Sequence, residues 1–170
     1  MKVVILIIIA VSFSLPALAL EIKSSAFENK GYIPDRYTCD AQGFSPPLSW
    51  KDVPSKTKSL VLIGDDPDAP FKIWVHWVAF NIPSDLKEFK ENISPEELTA
   101  LGVIEGLNDF GTVGYKGPCP PQGKAHRYFF SLYALDTVLT LPKGVSKSEV
   151  IEAMKGHILA EAKITGLYQK

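Results

Sequence analysis

The sequence predicts one mainly β domain of antiparallel sheets, with helices packed along one side. The chain has 170 residues, of which 46% are hydrophobic, and this is enough for a single domain with a real core. Apolar runs rich in aromatic and β-branched residues recur between proline and glycine clusters, which is typical of strands joined by turns. The residues show no regular strand–helix alternation, GxGxxG sequence or Walker loop, and so do not favour a Rossmann or P-loop fold.

The first 19 residues have the three parts of a signal peptide. Lys2 gives a positive start, residues 3–15 are almost wholly apolar, and the small residues "ALA" end at Ala19 after Pro16. The apolar run is shorter than the roughly 20 residues of a transmembrane helix, although a retained anchor is the alternative interpretation. We therefore predict cleavage after Ala19, a folded domain over residues 20–170, and a periplasmic or secreted protein.

The charge of the chain argues against two classes of partner. The formal net charge is −1, and it becomes −2 on cleavage because one of the 18 basic residues and none of the 19 acidic residues is lost. A nucleic-acid binder carries a basic footprint that this composition lacks. The mildly acidic mature chain also has no electrostatic reason to coat an anionic membrane. We predict no nucleic-acid partner and no stable membrane insertion after removal of the signal.

The two cysteines, Cys39 and Cys119, would meet an oxidising compartment after export. Two cysteines allow only one intramolecular pairing. Two buried free thiols are the alternative, because the sequence does not supply the separation of the Cα atoms. The interpretation we favour is a disulfide bond.

Four segments are predicted as strands. Three are compact apolar runs, and the first of the four alternates more weakly between apolar and polar residues. In chain order they are residues 21–29, 59–66, 73–82 and 126–135.

Two helices have clear start signals. Ser94 is a predicted N-cap with Glu97 as the acid of a capping box, and Ser146 stands in the same relation to Glu149. After Ser146, apolar residues recur at helical spacing, which predicts one long final helix that ends near Gly166. His157 would then lie on this helix, in a structural or exposed position.

Histidine interrupts two of the predicted strands, each time beside an aromatic residue. Strict alternation places Trp74, His76, Val78 and Phe80 on one face of their strand and Val75, Trp77 and Ala79 on the other. In the last apolar run, His126 and Tyr128 share a face. Each histidine taken alone is more often a satisfied core residue than a ligand group, and each tryptophan is more often core than a binding platform.

The turn "DPDAP" places Asp66 and Asp68 close to these histidines. An acidic turn with prolines is usually only a turn, so the combination carries the interpretation. A carboxylate beside an imidazole orients the ring and favours its protonated form. A protonated histidine and the backbone N–H groups of a stiff Pro/Gly loop would together hold a small anion such as phosphate. The segment "GPCPPQG", which begins at Gly117, is such a loop.

Four segments carry a resemblance to a known family. They are "SPPLSW", "DPDAP", "WVHWVAFNIP" and "NDFGTVGYKGPCPPQGKAHRYFFSLYAL". Together they resemble the phosphatidylethanolamine-binding protein family, also called the Raf-kinase-inhibitor-protein-like family, in its compact bacterial and archaeal branch. The match spans nearly the whole mature chain in the right order. It implies a large antiparallel sheet packed on a smaller sheet with flanking α-helices, and a pocket for phosphate or phosphorylated head groups.

The resemblance also assigns candidate ligand-binding residues, motif by motif. Those it implies directly are an acidic pair, two histidines, a tyrosine and two loop prolines: Asp66, Asp68, His76, His126, Tyr128, Pro118 and Pro120. Two neighbours in the same motifs complete the predicted site: Trp74 and Gly117. The segment between Pro70 and Trp74 is shorter than in the animal proteins, and "GPCPP" differs from their loop. These departures argue against inhibition of a eukaryotic kinase.

The function predicted from these residues is that of an exported, non-catalytic binding protein for a small anion or a phospholipid head group. The resemblance adds inhibition or modulation of a partner kinase or protease. A hydrolase that uses a histidine base and an aspartate orienter is the alternative, but no serine or cysteine nucleophile belongs to the constellation. A zinc site has less support because no ligand pair shows helical or CxxC spacing, and we predict no metal and no cofactor. A scaffold with a vestigial pocket is a third class.

Overall fold

The computed structural model of the chain describes residues 19–170. The predicted signal segment therefore lies, except for its last residue, outside the described residues. Within residues 19–170, no helix combines the length and the apolar character needed to cross a membrane.

Eight strands and two α-helices make up the described chain, together with one 3-10 turn over Asp35–Tyr37. The strands are β1 (Glu21–Ser24), β2 (Leu48–Lys51), β3 (Ser59–Asp66), β4 (Trp74–Pro83), β5 (Glu88–Phe89), β6 (Ile104–Glu105), β7 (His126–Leu135) and β8 (Ile158–Tyr168). The helices are α1 (Pro95–Ala100) and α2 (Lys147–Met154).

The strands form two antiparallel sheets of different size. The small sheet has the order β1-β2-β5, and the large sheet has the order β6-β4-β3-β7-β8. β3 lies at the centre of the large sheet, and all eight of its residues are buried. The predicted fold class, a large antiparallel sheet packed on a smaller one with flanking helices, is confirmed.

Two apolar clusters cover the two faces of the large sheet. One cluster packs Leu60 and Leu62 of β3 against side chains of the small sheet such as Trp50 and Phe89. The other packs the alternate β3 residues against α2, which contributes the fully buried Met154. Because both faces of β3 are covered, residues 60–63 of this strand are apolar without alternation, as in strands buried on both faces.

Local sequence signals fixed several element boundaries. β3 and β7 have the predicted bounds, β4 is displaced by one residue from the predicted run, and β1 covers only the start of its predicted segment. Both predicted capping boxes are present. The hydroxyls of Ser94 and Ser146 accept from the N–H groups of Glu97 and Glu149, whose side chains bond back to the cap N–H groups.

The prediction of one long final helix is wrong. α2 ends at Met154, Gly156 follows with a φ of 79°, and the chain then continues as β8, paired along its length with β7. A positive φ is easy for glycine and breaks the helix there. The segment after it alternates with a period of two, but Ile158 and Ala162 also match a spacing of four, and this dual match misled the helical prediction.

Gly166 and His157 consequently have other positions than predicted. Gly166 is not a helix stop but a β8 residue, where an added Cβ would lie 2.4 Å from Cγ1 of Ile33. The bare backbone of Gly166 therefore allows the segment around Ile33 to pack directly on the sheet. His157 lies in the turn before β8, with its Nδ1 2.8 Å from Oδ1 of Asp136.

Candidate functional site

A cavity of about 320 Å³ opens at one edge of the large sheet. β3 ends there with Asp66, β4 begins there with Trp74, and β7 begins there with His126. The three strands are adjacent and antiparallel, so their order brings these three residues to the same edge. The cavity is lined by polar groups of the strand ends and by apolar residues of the neighbouring loops: Asp66, Ala69, Pro70, Phe71, Trp74, His76, Phe110, Cys119, Pro120, Pro121, His126 and Tyr128.

Asp66 uses both of its carboxylate oxygens within the protein. Oδ2 lies 2.7 Å from Nδ1 of His126, and both side chains are buried. Oδ1 accepts from the backbone N–H of Asp68 at 2.8 Å, which closes the acidic turn. An ionised carboxylate only accepts hydrogen bonds, so His126 carries a proton on Nδ1 and its Nε2 is left for another partner.

Asp68 lies outside the cavity lining and binds Arg127 instead. Its oxygens accept from Nε of Arg127 at 2.8 Å, from Nη2 at 2.7 Å and from the backbone N–H at 2.9 Å. This hydrogen bonding with Arg127 lowers the pKa of Asp68 to about 2. The second acid of the predicted site therefore clamps the 66–70 turn to the start of β7 and leaves no free carboxylate in the cavity.

His76 is fixed by the loop that follows β6. Its Nδ1 lies 2.7 Å from the carbonyl oxygen of Lys116, which can only accept, so the proton is on Nδ1 and Nε2 is left for another partner. Burial lowers the pKa of His76, and the Lys116 carbonyl and the carboxylates of Asp66 and Asp65 oppose this only in part. The ring is therefore neutral at neutral pH.

A β-bulge aims His76 into the cavity and contradicts the predicted alternation of β4. Val75 is paired with Asp65 and Trp77 with Gly64, so His76 is an extra residue in its strand. Val75 packs in the α2-side cluster together with Val78, whereas Trp77 packs on the opposite face. His76 and Trp77 thus lie on the same side of the sheet, as a bulge allows.

Tyr128 brings a buried hydroxyl to the cavity. Its ring meets the ring of His76 edge-on, with centroids 5.3 Å apart, and the residue is 2% exposed. Within residues 19–170, the hydroxyl has no hydrogen-bond partner. Burial raises the pKa of Tyr128, and the carboxylate of Asp66 raises it further through its charge and its proximity to the hydroxyl, although the two groups do not meet the geometry of a hydrogen bond. The hydroxyl therefore stays protonated and available as a donor. Buried polar groups are nearly always paired, so this hydroxyl points to a ligand or a bound water.

The proline-rich loop contributes less of the cavity wall than predicted. Of this loop, Cys119, Pro120 and Pro121 line the cavity, whereas the predicted residues Gly117 and Pro118 do not. A Cβ on Gly117 would lie 2.5 Å from the carbonyl oxygen of Tyr37, so this glycine permits a close backbone approach. The carbonyl of Pro118 accepts from the N–H of Cys39 at 3.0 Å.

Of the apolar lining, Trp74 and Pro120 were predicted from the sequence, and the other residues were not. The missed residues are Ala69, Pro70, Phe71, Phe110 and Pro121. The loop that carries Phe110 is organised by Asn108, whose Oδ1 accepts from the N–H of Phe110 at 3.0 Å. The turn-forming sequence "NDFG" was the available signal for this loop.

Three residues bring hydrogen-bonding groups to the same cavity. Tyr128 offers an O–H donor. Each histidine also lines the cavity, and because its Nδ1 is bonded within the protein, its Nε2 is left for another partner. Among the described residues, no group of three His, Cys, Asp or Glu side chains has the placement of a metal site.

Comparison with known sequences gives consistent matches. The family model described as "Phosphatidylethanolamine-binding protein" matches residues 23–169. The UPF0098 protein of Methanothermobacter thermautotrophicus is 57% identical over 151 residues, which cover 89% of this chain and 99% of the relative. The UPF0098 protein of Aquifex aeolicus is 48% identical over 93% of both chains.

Two solved structures are similar over nearly their full length. A phosphatidylethanolamine-binding protein homolog from Chlamydia trachomatis is 42% identical, with a TM-score of 0.82 over 89% of this chain and 98% of that one. YbcL of E. coli, described as a member of the mammalian family, is 31% identical, with a TM-score of 0.83 over 90% of this chain and 99% of that one.

We predict that Cys39 and Cys119 form a disulfide in the exported protein. Their Sγ atoms lie at bonding distance and their Cα atoms are 5.4 Å apart, within the usual range of disulfides. Removing a bridge with a sequence separation of 80 residues is expected to cost about 4–5 kcal/mol in the chain-entropy model. Thiol titration of denatured, unreduced protein should detect no free thiol, and detection of two would refute the bridge.

Proposed function

The chain belongs to the phosphatidylethanolamine-binding protein family, and from this premise we propose an exported, non-catalytic binding protein whose cavity holds a phosphate or a phosphorylated head group. The unpaired, buried hydroxyl of Tyr128 is the observation that carries the proposal. An unsatisfied buried hydroxyl costs roughly 1–3 kcal/mol, and an anionic oxygen in the cavity would offset that cost.

At neutral pH the cavity offers both hydrogen-bond donors and an acceptor, so a phosphate that carries a proton fits it better than an anion without one. The hydroxyl of Tyr128 donates to a phosphate oxygen. The Nε2 of His126 also donates to one when the imidazole ring is protonated. The neutral ring of His76 presents an acceptor, which a protonated phosphate oxygen would satisfy. The buried carboxylate of Asp66 is engaged by His126 and the turn, so it does not meet the ligand unpaired.

A hydrolase has less support than a binding protein. The sulfur atom in the cavity wall belongs to Cys119, which lies at bonding distance from Cys39 and would not serve as a nucleophile in the bridged form. Asp66 orients His126, but the cavity lining includes no serine or threonine on which this histidine would act. A phosphorylated side chain of a kinase or protease would reach the same donors, and this is how the protein would modulate such a partner.

Replacing Tyr128 by phenylalanine tests the proposal with little risk to the fold. The change removes only a hydroxyl that has no hydrogen-bond partner in residues 19–170, so the melting temperature should stay the same or rise. Affinity for phosphate and phosphoethanolamine should fall roughly tenfold, as expected for the loss of one charge-assisted hydrogen bond. Calorimetric titration measures the affinity, and thermal unfolding measures the stability.

Tyr115→Phe is the matched control for this experiment. The Tyr115 hydroxyl donates to the carbonyl of Tyr37 at 2.9 Å and is not part of the cavity lining. Its removal should cost about 1 kcal/mol of stability and leave phosphate affinity unchanged. Equal phosphate affinity in the wild type and in folded Tyr128→Phe protein would contradict the proposed site.

Binding of sulfate should strengthen as the pH falls from 7.5 to 5.5. Sulfate does not titrate in this range, whereas His76 is neutral at pH 7.5 because burial lowers its pKa. An anion beside Nε2 favours the protonated ring, so binding takes up a proton and gains affinity roughly tenfold as the pH is lowered. The comparison is made by calorimetry in two buffers, and His76→Asn should lose much of the dependence. A flat pH profile in the wild type would argue against histidine contact with the anion.

Export with cleavage after Ala19 would leave the core of residues 20–170 intact. Leu20 is 6% exposed and packs into the core cluster between the sheets, directly after the predicted cleavage site. N-terminal sequencing of the protein recovered from the periplasm or medium should therefore begin at Leu20. Recovery of a chain that begins at Met1 in the membrane fraction would contradict cleavage.

A further inference from the structure

We propose that Phe71 and Phe110 select phosphate compounds in which an apolar group lies directly beside the phosphate. The inference rests on the proposed function, because it concerns the second half of the ligand in the same cavity. The site would bind an apolar phosphate ester more tightly than inorganic phosphate or a hydrophilic phosphate ester.

The cavity is larger than a bare phosphate requires. Its volume of about 320 Å³ lies in the range of sites for small organic molecules, roughly 300–1,000 Å³. The polar groups come from the strand ends, whereas the rest of the lining is apolar: Ala69, Pro70, Phe71, Trp74, Phe110, Pro120 and Pro121. A phosphate held by Tyr128 and the histidines would leave this apolar surface to the group attached to it.

Phe71 has no role in the packing of the folded chain. Its relative exposure is 105%, and its backbone has a φ of 79°, a conformation that is costly for a bulky residue other than glycine. A fully exposed aromatic ring on a strained turn stabilises nothing in the free protein. Its position at the cavity rim gives it a contact only when a ligand or partner is present.

Phe110 forms the second, more rigid side of the rim. Its ring meets Trp74 edge-on at 5.6 Å and His76 at 5.3 Å between centroids, and Asn108 holds its backbone. The residue remains accessible to solvent, with a relative exposure of 42%. The rim therefore has one fixed aromatic face beside the histidine and one aromatic ring that extends into solvent.

Exposed apolar residues are concentrated in the two loops that carry Phe71 and Phe110. Of the ten large hydrophobic side chains that are exposed in residues 19–170, five lie in these loops: Phe71, Ile73, Leu107, Phe110 and Val113. Phe71 and Phe110 line the cavity, whereas Ile73 and Leu107 line a neighbouring cavity beside α2. Such clustering marks a binding surface rather than scattered surface residues.

A cation already covers the tryptophan of the site. Nζ of Lys72 lies 5.0 Å from the centre of the Trp74 ring and 2.7 Å from a carboxylate oxygen of Asp109. A positively charged ligand group is therefore not favoured on that ring. The remaining aromatic surfaces of the rim favour an uncharged apolar substituent beside the phosphate.

The test compares four ligands by calorimetric titration of the mature protein: inorganic phosphate, glycerol 3-phosphate, phenyl phosphate and hexyl phosphate. Burial of about 50–60 Å² of apolar ligand surface corresponds to roughly a tenfold gain in affinity. We expect phenyl or hexyl phosphate to bind about tenfold more tightly than glycerol 3-phosphate. A preference for the phenyl ester indicates an aryl phosphate, and a preference for the hexyl ester indicates an alkyl or lipid-like one.

Phe71→Asn is the informative variant because asparagine tolerates a positive φ and keeps the turn. Its ratio of phenyl to glycerol phosphate affinity should fall to about threefold or less. Val138→Asn is the control, since Val138 is also exposed, at 55%, but follows the opposite end of β7. The control should keep the wild-type ratio.

The outcomes separate the two proposals. If the wild type binds all four ligands with equal affinity, or if Phe71→Asn keeps the full preference, the selection by Phe71 is refuted while the anion site stands. If the wild type binds none of them, the proposed function is refuted and the selection with it.

Discussion

The buried carboxylate of Asp66 is the group on which the rest of the site depends. A charge without partners is costly inside a protein, so both of its oxygens must be satisfied. One holds the ring of His126 and the other closes the turn to Asp68, which in turn clamps Arg127 at the start of β7. One ionised group thereby sets the tautomer of a histidine, the course of a loop and the edge of the sheet.

The other half of the site depends on backbone irregularity rather than on charge. The bulge at His76 breaks the alternation of β4, so that His76 and Trp77 lie on the same side of the sheet. The loop after β6 supplies the Lys116 carbonyl that fixes the ring. That loop is itself packed against residues 37–39 at Gly117, where no side chain would fit. The two histidines are thus positioned at one cavity by different means, one by a hydrogen bond to Asp66 and one by a bulge and a loop.

The sequence predicted the parts of this molecule that follow local rules. Turn residues mark the ends of β3 and β7, and both capping boxes were predicted from the residue types alone. The prediction failed at β8, where alanines and isoleucines match both a helical and a strand period. It also failed at the bulge, since one extra residue in a strand leaves no compositional trace. The pairing of Asp68 with Arg127 and the exposure of Phe71 follow from the tertiary structure, and the spacing of residues along the chain does not predict them.

Two departures from the rules of stable folding lie in the same place. Tyr128 leaves a buried donor unpaired, and Phe71 exposes an aromatic ring on a strained turn. Both features cost free energy in the unliganded chain, and both residues lie in the lining of the same cavity. If these residues served only to stabilise the fold, we would expect the Tyr128 hydroxyl to be paired and residue 71 to be buried or polar. The shared location of these costs is best explained by a ligand that satisfies the polar groups and covers the apolar ones together.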